Sequence, residues 1–468
     1  SKTYKKNGNS DAAAFEECLN LYAADVWYHT VFLTGRKDAI SILSGLMRMD
    51  IGRALLLRLG VDHAEFDVFL KQYRTVNNTS PTAKNPKIPH PEYGITLADL
   101  MLKIYAEDEQ FRAFLAAQQV DDDILCATAD WVEHIEDQRD ASRRWWSLDT
   151  LARVPGIAKS WAYGPVPTIE QFAYDMQIEA LSLKRTMIGR EREVKLRESA
   201  LLKQAGANVL IVGEPGTEKE TILLGLAGMI ISGHIFPQLE FKRIFKLSGP
   251  SIIATGKQKG EIESLLIKIF NESVRAGDIM LAIEDFPEFV SSLAQAGVIA
   301  SQIMNPYLSS PDVHILALAN TASFRRIVEQ DGALMKFFEK IEIQEPDEDR
   351  LLAILEDIAP SAETAARGRV LITLPGLKKI IEASLKYIVT GALPERAIDL
   401  MQEAISDAVS QGIILITPEF INDYVNRKTN IPLGEISTSE QDLLMNLEQK
   451  LHERVIDQVE AINAVADT

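Results

Sequence analysis

The chain has 468 residues, 46% of them hydrophobic, and a net charge of −18 from 67 acidic and 49 basic residues. Its length predicts about three domains, and an acidic surface without a basic stripe argues against a nucleic-acid partner. The two cysteines lack CxxC spacing, no run reaches the roughly 18 apolar residues of a membrane span, and the first residues lack the apolar core of a secretory signal. We therefore expect a cytoplasmic protein with no membrane partner.

Two stretches near the start of the chain have helical periodicity. Apolar residues recur at spacings of three and four over 11–74 and again over 96–134, whereas 75–94 contains four prolines and reads as a linker. Five residues recur 59 positions later: Arg53, Ala54, Leu56, Val61 and Asp62 return as Arg112, Ala113, Leu115, Val120 and Asp121. The repeat predicts that 1–137 is a two-repeat helical domain, with chance matching of leucine-rich helices as the alternative.

The next stretch, 138–175, is broken by glycine and proline and reads as a docking linker. Its tryptophans are predicted to pin it to a neighbouring surface, namely Trp145, Trp146 and Trp161.

Residues 176–345 alternate short apolar strands with amphipathic helices, which predicts an α/β fold with a parallel sheet covered on both faces. The strands are predicted over 207–213, 243–247, 279–284, 313–319 and 340–343, and the helices over 192–204, 219–231, 260–275 and 288–302. Residues 346–428 lose the strand pattern. They are predicted to form a small helical lid.

A phosphate-binding loop is indicated directly after the strand ANVLIVG. Gly213, Gly216 and Lys219 stand where the pattern G-x-x-x-x-G-K-[ST] requires them, before a helix. Such a loop binds phosphates through backbone N–H groups and a helix N-terminus, while a hydroxyl after the lysine holds magnesium. An ordinary glycine-rich turn between a strand and a helix is the alternative.

Two positions of this loop depart from the pattern, because Glu218 replaces the second glycine and Glu220 replaces the hydroxyl. A carboxylate about 4 Å from one phosphate charge costs on the order of 4 kcal/mol at an effective dielectric of 20. Thr221 is a further candidate contact, although one residue along a helix turns its side chain by about 100°. We therefore expect weak or lost nucleotide binding.

Several motifs in chain order resemble the first ATPase ring of Clp unfoldases, which are AAA+ proteins. They are IGREREV (188–194), GEPGTEKET, ILLGLAGMIISGHIFPQL, IMLAIEDF, EQDGALMKFFEKIEIQEPDEDRLLAILE and LPERAIDLMQEA. The resemblance implies an AAA+ P-loop module that binds ATP or ADP with magnesium, with Ile188 and Gly189 as further nucleotide contacts. It also implies that 429–468 is a bridge and the start of a second ATPase module.

The family's catalytic roles can be carried over at three positions. Glu284 and Asp285 match its acidic pair for magnesium and water activation, in reversed order, with Glu284 as the implied metal ligand. Asn320 matches the polar sensor of the terminal phosphate. Reversal shifts the carboxylates by about a methylene, which damages chemistry that depends on positioning.

Other motifs of the family are altered. Lys336 and Phe337 stand in place of two arginine fingers, Gly391 in place of an arginine before the LPERA motif, and Gln258 in place of the pore-loop aromatic, between Lys257 and Lys259. Loss of an arginine finger costs about 10³ to 10⁵ in rate. No long insertion precedes ITPEFINDYV, which predicts the protease-partner (ClpA/ClpC-like) branch or an offshoot of it.

We predict a first-ring module of a Clp-like unfoldase whose hydrolysis is weak or absent. It would act in hexamer assembly and would recruit substrates and adaptors through 1–137. The implied partners are protein substrates, adaptors, copies of itself in a ring and a peptidase ring. A slow ATPase and a non-enzymatic scaffold or regulator are the alternatives.

Overall fold

In a computed structural model, the described residues are 26, 39–77, 96–143, 164–183, 208–233, 235–256, 258–310, 313–330, 332–388 and 390–429. The predicted helix at 192–204, the three linker tryptophans and the bridge at 429–468, apart from residue 429, lie outside them. Among the described helices, none combines the length and apolar character that crossing a membrane requires.

A helical unit forms the first part of the described chain. Its helices are α1 (Ala39–Leu46), α2 (Asp50–Leu59), α3 (His63–Asn77), α4 (Leu97–Glu107), α5 (Glu109–Ala117) and α6 (Asp122–Arg143). The starts of α2 and α3 recur 59 residues later as the starts of α5 and α6, the offset of the sequence repeat. Helix α6 continues through the predicted boundary at 137.

The two halves of the helical unit also end their short helices in the same way. Gly60 (φ 84°) and Gln119 (φ 60°) both adopt the left-handed conformation, 59 residues apart. The N–H of Val61 donates to the carbonyl of Leu56 at 3.0 Å, and the N–H of Val120 donates to that of Leu115 at 3.0 Å. Phe66 and Phe111 are buried between the halves.

A six-stranded sheet forms the core of the second unit, in the order β1-β3-β4-β5-β2-β6. Its strands are β1 (Ala173–Asp175), β2 (Asn208–Gly213), β3 (Arg243–Leu247), β4 (Ile279–Ile283), β5 (His314–Asn320) and β6 (Phe338–Glu342). Strands β2 to β6 pair in parallel, as predicted, because apolar runs such as NVLIVG are buried on both faces. Strand β1, in the predicted linker 138–175, pairs antiparallel with β3.

Helices cover both faces of this sheet. They are α7 (Ile169–Phe172), α8 (Met176–Leu183), α9 (Lys219–Ser232), α10 (Gly249–Thr255), α11 (Lys259–Ala276), α12 (Phe286–Gln295), α13 (Ala300–Leu308), α14 (Thr321–Gln330) and α15 (Gly332–Met335). The single helix predicted over 288–302 is wrong. Gly297, at φ 79°, separates α12 from α13, since a left-handed residue interrupts the helical backbone.

The lid consists of α16 (Glu348–Ala365), α17 (Leu374–Lys386), α18 (Glu395–Gln411) and α19 (Pro418–Thr429), together with a two-stranded parallel sheet. The strands are β7 (Leu371–Ile372) and β8 (Leu415–Ile416), so the prediction of a strandless lid is wrong. Each strand has two residues, too few for an alternating pattern in the sequence. The side chain of Thr373 then caps α17 by accepting a hydrogen bond from the N–H of Gly376.

The helical unit docks on the lid through a buried ion pair. The guanidinium of Arg58 donates to both carboxylate oxygens of Glu363, at 2.5 and 2.7 Å, and to the carbonyl of Ile372 at 2.8 Å. The Arg58 and Glu363 side chains are each 6% exposed. The same guanidinium lies 4.2 Å from the centre of the Trp131 ring, whose Nε1 donates to the carbonyl of Glu356 at 2.9 Å. Charge, stacking and apolar contact therefore hold the two units together.

We expect the stability of this docked interface to decrease as pH rises. Burial raises the pKa of Glu356 to about 7 from an ordinary 4.5, while Lys378 lowers it and Asp130 raises it. Between these two pKa values, Glu356 is protonated in the folded chain and ionised in the unfolded chain. Glu356 therefore contributes about 3 kcal/mol to the free energy of unfolding below pH 4.5, and this contribution is lost as the pH rises through 7. Urea unfolding at a series of pH values should show this decrease in wild type. Glu356→Gln should flatten it; an equal slope in that variant would contradict the assignment.

Candidate functional site

The carboxyl ends of three neighbouring parallel strands bring the predicted site residues to one edge of the sheet. Gly213 ends β2 and pairs in register with Asn320, which ends β5. Ile283 ends β4, which pairs with β5, and Glu284 and Asp285 follow it directly. Loop 214–218 leaves this same edge, which is where ligands bind in open α/β sheets.

The loop after β2 has two residues with left-handed backbone. Gly216 has φ 88° and Glu218 has φ 51° and ψ 47°. The left-handed conformation of Glu218 is strained because the residue has a Cβ, and the strain costs about 1 kcal/mol. The loop therefore keeps a conformation that suits glycine at the position where Glu218 has replaced it.

Lys219 is the first residue of α9, and its ammonium points back into the loop. Its Nζ donates to the carbonyl of Gly213 at 3.1 Å and to that of Glu214 at 2.8 Å. Burial lowers the pKa of Lys219, while the nearby Asp285, Glu214, Glu395 and Glu284 raise it to a smaller extent. The lysine that would reach a terminal phosphate thus holds the loop's own carbonyls.

A second lysine, Lys246 on β3, lies between the two acidic elements of the site. Its ammonium forms a hydrogen-bonded ion pair with Glu220 and lies 3.4 Å from Oε2 of Glu284. Burial lowers the pKa of Lys246, but the contacts with Glu220 and Glu284 outweigh it and raise the pKa overall. Lys246 was not among the predicted site residues; the sequence marks it only as a second charged residue, after Arg243, in the otherwise apolar strand RIFKL.

The lid closes over the loop through Glu395. The N–H of Glu395 donates to the carbonyl of Gly216 at 3.4 Å, and a methyl group built on Gly216 would collide with Oε2 of Glu395. The space that glycine leaves open beside the loop is therefore taken by a carboxylate. Glu395 begins α18 in the LPERA motif, and only the fold brings it to the loop.

The remaining predicted residues make fewer described contacts with the loop. Thr221 is half-buried in the first turn of α9, and Asp285 is exposed at φ 43° before α12. Ile188 and Gly189 lie outside the described residues, as does Lys257 of the pore loop. The structure therefore brings together the loop, the acidic pair and Asn320.

The positions that replace the arginine fingers and the pore aromatic have different surroundings. Lys336 is exposed, whereas Phe337 is half-buried and packs against the core of the α/β unit. Gln258 is exposed before α11, and Lys259 begins that helix 3.6 Å from Glu263. Phe337 thus contributes to packing, and Lys336 remains available at the surface.

Comparison with known proteins gives a consistent relationship, although no family model matches the chain. It is 28% identical over 383 residues to the chaperone protein ClpB of Oceanobacillus iheyensis, which covers 68% of this chain and 47% of that protein. It is 28% identical over 363 residues to the negative regulator of genetic competence ClpC/MecB of Bacillus subtilis, which covers 64% of this chain and 45% of that protein.

Solved structures agree with these relatives. The structure of the S. cerevisiae Hsp104–ADP complex matches with a TM-score of 0.55 and 28% identity, over 64% of this chain and 52% of that chain. Over about two thirds of its length, the chain is similar to Clp-family AAA+ proteins. It spans about half the length of the curated Clp relatives it matches. Both ClpB and ClpC are among them, so the ClpA/ClpC-like branch stays a prediction.

Clp-family proteins typically bind ATP or ADP with magnesium, and the residues of this chain fit the metal poorly. Glu220 stands in place of the magnesium hydroxyl and is paired with Lys246. Among the described residues, no group of three His, Cys, Asp or Glu side chains could hold a metal ion. The nucleotide's phosphates would meet Glu218 in the loop and Glu395 above it. The contacts of Lys219 and Glu395 therefore join the loop to itself and to the lid.

Proposed function

We propose that this chain is a non-hydrolysing AAA+ module of a Clp-like unfoldase, which acts in ring assembly and in recruitment of partners. The observation that carries the proposal is the closed phosphate loop, in which Lys219 binds the loop's own carbonyls and Glu395 covers Gly216. In this module, contacts within the protein replace those that a bound nucleotide would make. ATP or ADP with magnesium would bind weakly or not at all.

The catalytic chemistry is weakened at each step that hydrolysis requires. Activation of water needs a free, well-placed carboxylate, but Glu284 lies 3.4 Å from the ammonium of Lys246. Stabilisation of the transition state needs an arginine from a neighbour, and lysine cannot bind two phosphate oxygens side by side as arginine does. The reversed order of Glu284 and Asp285 also displaces the carboxylates from the positions that these two steps require.

Recruitment is assigned to the helical unit, at a groove between its two halves. This groove has a volume of about 450 Å³ and is lined by Glu65, Val68, Phe69, Gln72, Phe114 and Gln118. Val68 is 51% exposed beside the stacked rings of Phe69 and Phe114, whose centres are 4.5 Å apart. An apolar groove with a polar rim suits a short segment of a protein substrate or adaptor.

Ring formation, a peptidase ring as partner and a cytoplasmic location are proposed from the relationship to Clp proteins alone. Assembly would place copies of this module in a ring whose movement is driven by ATPase activity outside these residues. We propose no nucleic-acid partner, because a net charge of −18 repels a phosphate backbone.

Hydrolysis and binding can be tested on the whole chain. We expect ATP turnover with magnesium to be indistinguishable from a no-protein blank, and calorimetric titration at millimolar ATP to give little or no heat. Lys219→Ala is the control, and it should change neither result. Turnover that Lys219→Ala abolishes would overturn the proposal in favour of a slow ATPase.

A further inference from the structure

Strand β3 carries a charged side chain on a face that is otherwise apolar. Ile244 and Leu223 belong to the core between the sheet and α9, whereas Phe245 and Leu247 belong to the core on the opposite face. By the alternation of a strand, Lys246 shares the face of Ile244 and lies at the strand's carboxyl end. Its stem is therefore fixed by the sheet, and its ammonium is directed towards the start of α9.

That ammonium is bound between two carboxylates from different elements. Glu220 is the second residue of α9, and Glu284 follows β4, the strand that pairs with β3 through Lys246 and Ala282. The Lys246 side chain is 24% exposed, compared with 38% for Glu220 and 48% for Glu284. The cation is thus the most protected member of the cluster.

The two carboxylates stand where the family resemblance puts the protein ligands of magnesium. Magnesium requires oxygen ligands in a near-octahedral arrangement at about 2.0–2.1 Å. Glu220 and Glu284 already direct oxygens to the same ammonium, and a divalent ion placed there would meet its positive charge at close range. An ammonium and magnesium cannot share this position.

We propose that Lys246 is a built-in cation that takes the place of the divalent metal, so that Glu220 and Glu284 bind an ammonium and no magnesium. The inference deepens the proposed function, on which it rests, because it names the group that makes the module independent of metal. It also explains the carboxylate at 220: Glu220 reaches Lys246 as an ion-pair partner, which a hydroxyl at the same position would not be.

The proposal predicts that removal of the ammonium exposes a metal site. Lys246→Met keeps an unbranched apolar stem but leaves Glu220 and Glu284 without their shared cation. Two carboxylates at one edge of the sheet then attract a divalent ion, and Mn²⁺ is a suitable probe because its binding is read directly by electron paramagnetic resonance. No nucleotide is needed.

The experiment compares Mn²⁺ binding by the full chain and its variants. In the wild-type chain, Glu284→Gln should leave Mn²⁺ binding unchanged. The Lys246→Met chain should bind one equivalent of Mn²⁺ at least about tenfold more tightly than wild type does. Adding Glu284→Gln to Lys246→Met should abolish this gain in affinity. Lys340→Met is the matched control, since Lys340 is a strand lysine 3.2 Å from Glu342, and it should gain nothing. Circular dichroism checks that each variant is folded.

Two outcomes would overturn the inference. One is wild-type Mn²⁺ binding that Glu284→Gln abolishes, a result that needs no lysine variant. The other is a folded Lys246→Met chain that gains no site; if this variant does not fold, Lys246→Gln is measured in its place. Failure of the proposed function is seen separately as ATP turnover, so the two can be told apart.

Discussion

Replacement of Arg58 by alanine is expected to lower the free energy of unfolding by about 3–5 kcal/mol, the cost of leaving one partner of a buried ion pair without its counter-charge. Arg58 makes two hydrogen bonds to Glu363 and one to the carbonyl of Ile372. Its loss leaves Glu363 buried with only the N–H of Ile372, at 2.8 Å, as a partner. Urea denaturation followed by circular dichroism, with hydrogen exchange over residues 351–386, would measure the effect.

The matched control for this substitution is Arg53→Ala on the same helix. Arg53 is exposed and lies 3.9 Å from Asp50, a surface pair expected to contribute less than about 1 kcal/mol. The double variant Arg58→Met with Glu363→Gln should recover most of the loss, because it removes both charges and keeps an acceptor for Ile372. If Arg58→Ala costs no more than Arg53→Ala, the docked arrangement of the two units is wrong.

Restoring the loop's consensus residues should recover nucleotide binding. Glu218→Gly combined with Glu220→Thr removes two carboxylates from the loop and the start of α9, relieves the left-handed glutamate at φ 51° and returns the hydroxyl of the consensus pattern. A carboxylate that faces a phosphate costs on the order of 4 kcal/mol. Because Glu220 is already paired with Lys246, loss of Glu218 should account for most of the gain, and affinity for ATP should rise about 100-fold or more. Calorimetric titration with ATP and magnesium would measure the change.

A control for net charge is available in the helical unit. Asp122→Asn with Asp123→Asn removes two exposed carboxylates away from the loop and should leave ATP affinity unchanged. An equal gain in both double variants would assign the effect to overall charge. No gain in the loop variant would mean that closure by Glu395, rather than Glu218 and Glu220, excludes the nucleotide.

The α/β unit was readable from the sequence because its strands are short apolar runs separated by amphipathic helices. Strand β3 was predicted over 243–247 and occupies Arg243–Leu247. Strand β1 was missed, because three residues at an edge carry no pattern and their pairing with β3 depends on tertiary contact. The two-residue strands of the lid were missed for the same reason.

The candidate site was partly predictable. The loop glycines and Lys219 were predicted from spacing, and the acidic pair and Asn320 from the resemblance to Clp unfoldases. The parallel sheet gathers all of them at the carboxyl ends of its strands. Lys246 and Glu395 were not predicted, since Lys246 lies 26 residues from Glu220 and Glu395 meets Gly216 only when the lid folds over the loop. Local sequence marks Lys246 as a charged residue in a largely apolar strand, but it does not indicate which distant residue pairs with Lys246 or with Glu395.

The contact between Arg58 and Glu363 joins residues 305 positions apart in the chain. Closing so long a loop costs entropy that local contacts do not offset, so the docked interface should form after the helical unit and the α/β unit have each collapsed. During synthesis, the helical unit would form before the lid is made, and Arg58 would stay solvated until Glu363 is available. A fragment that begins after the helical unit would fold with Glu363 lacking its counter-charge. Pairing of Arg58 with Glu363 is therefore a single late step in folding, which needs both the helical unit and the lid.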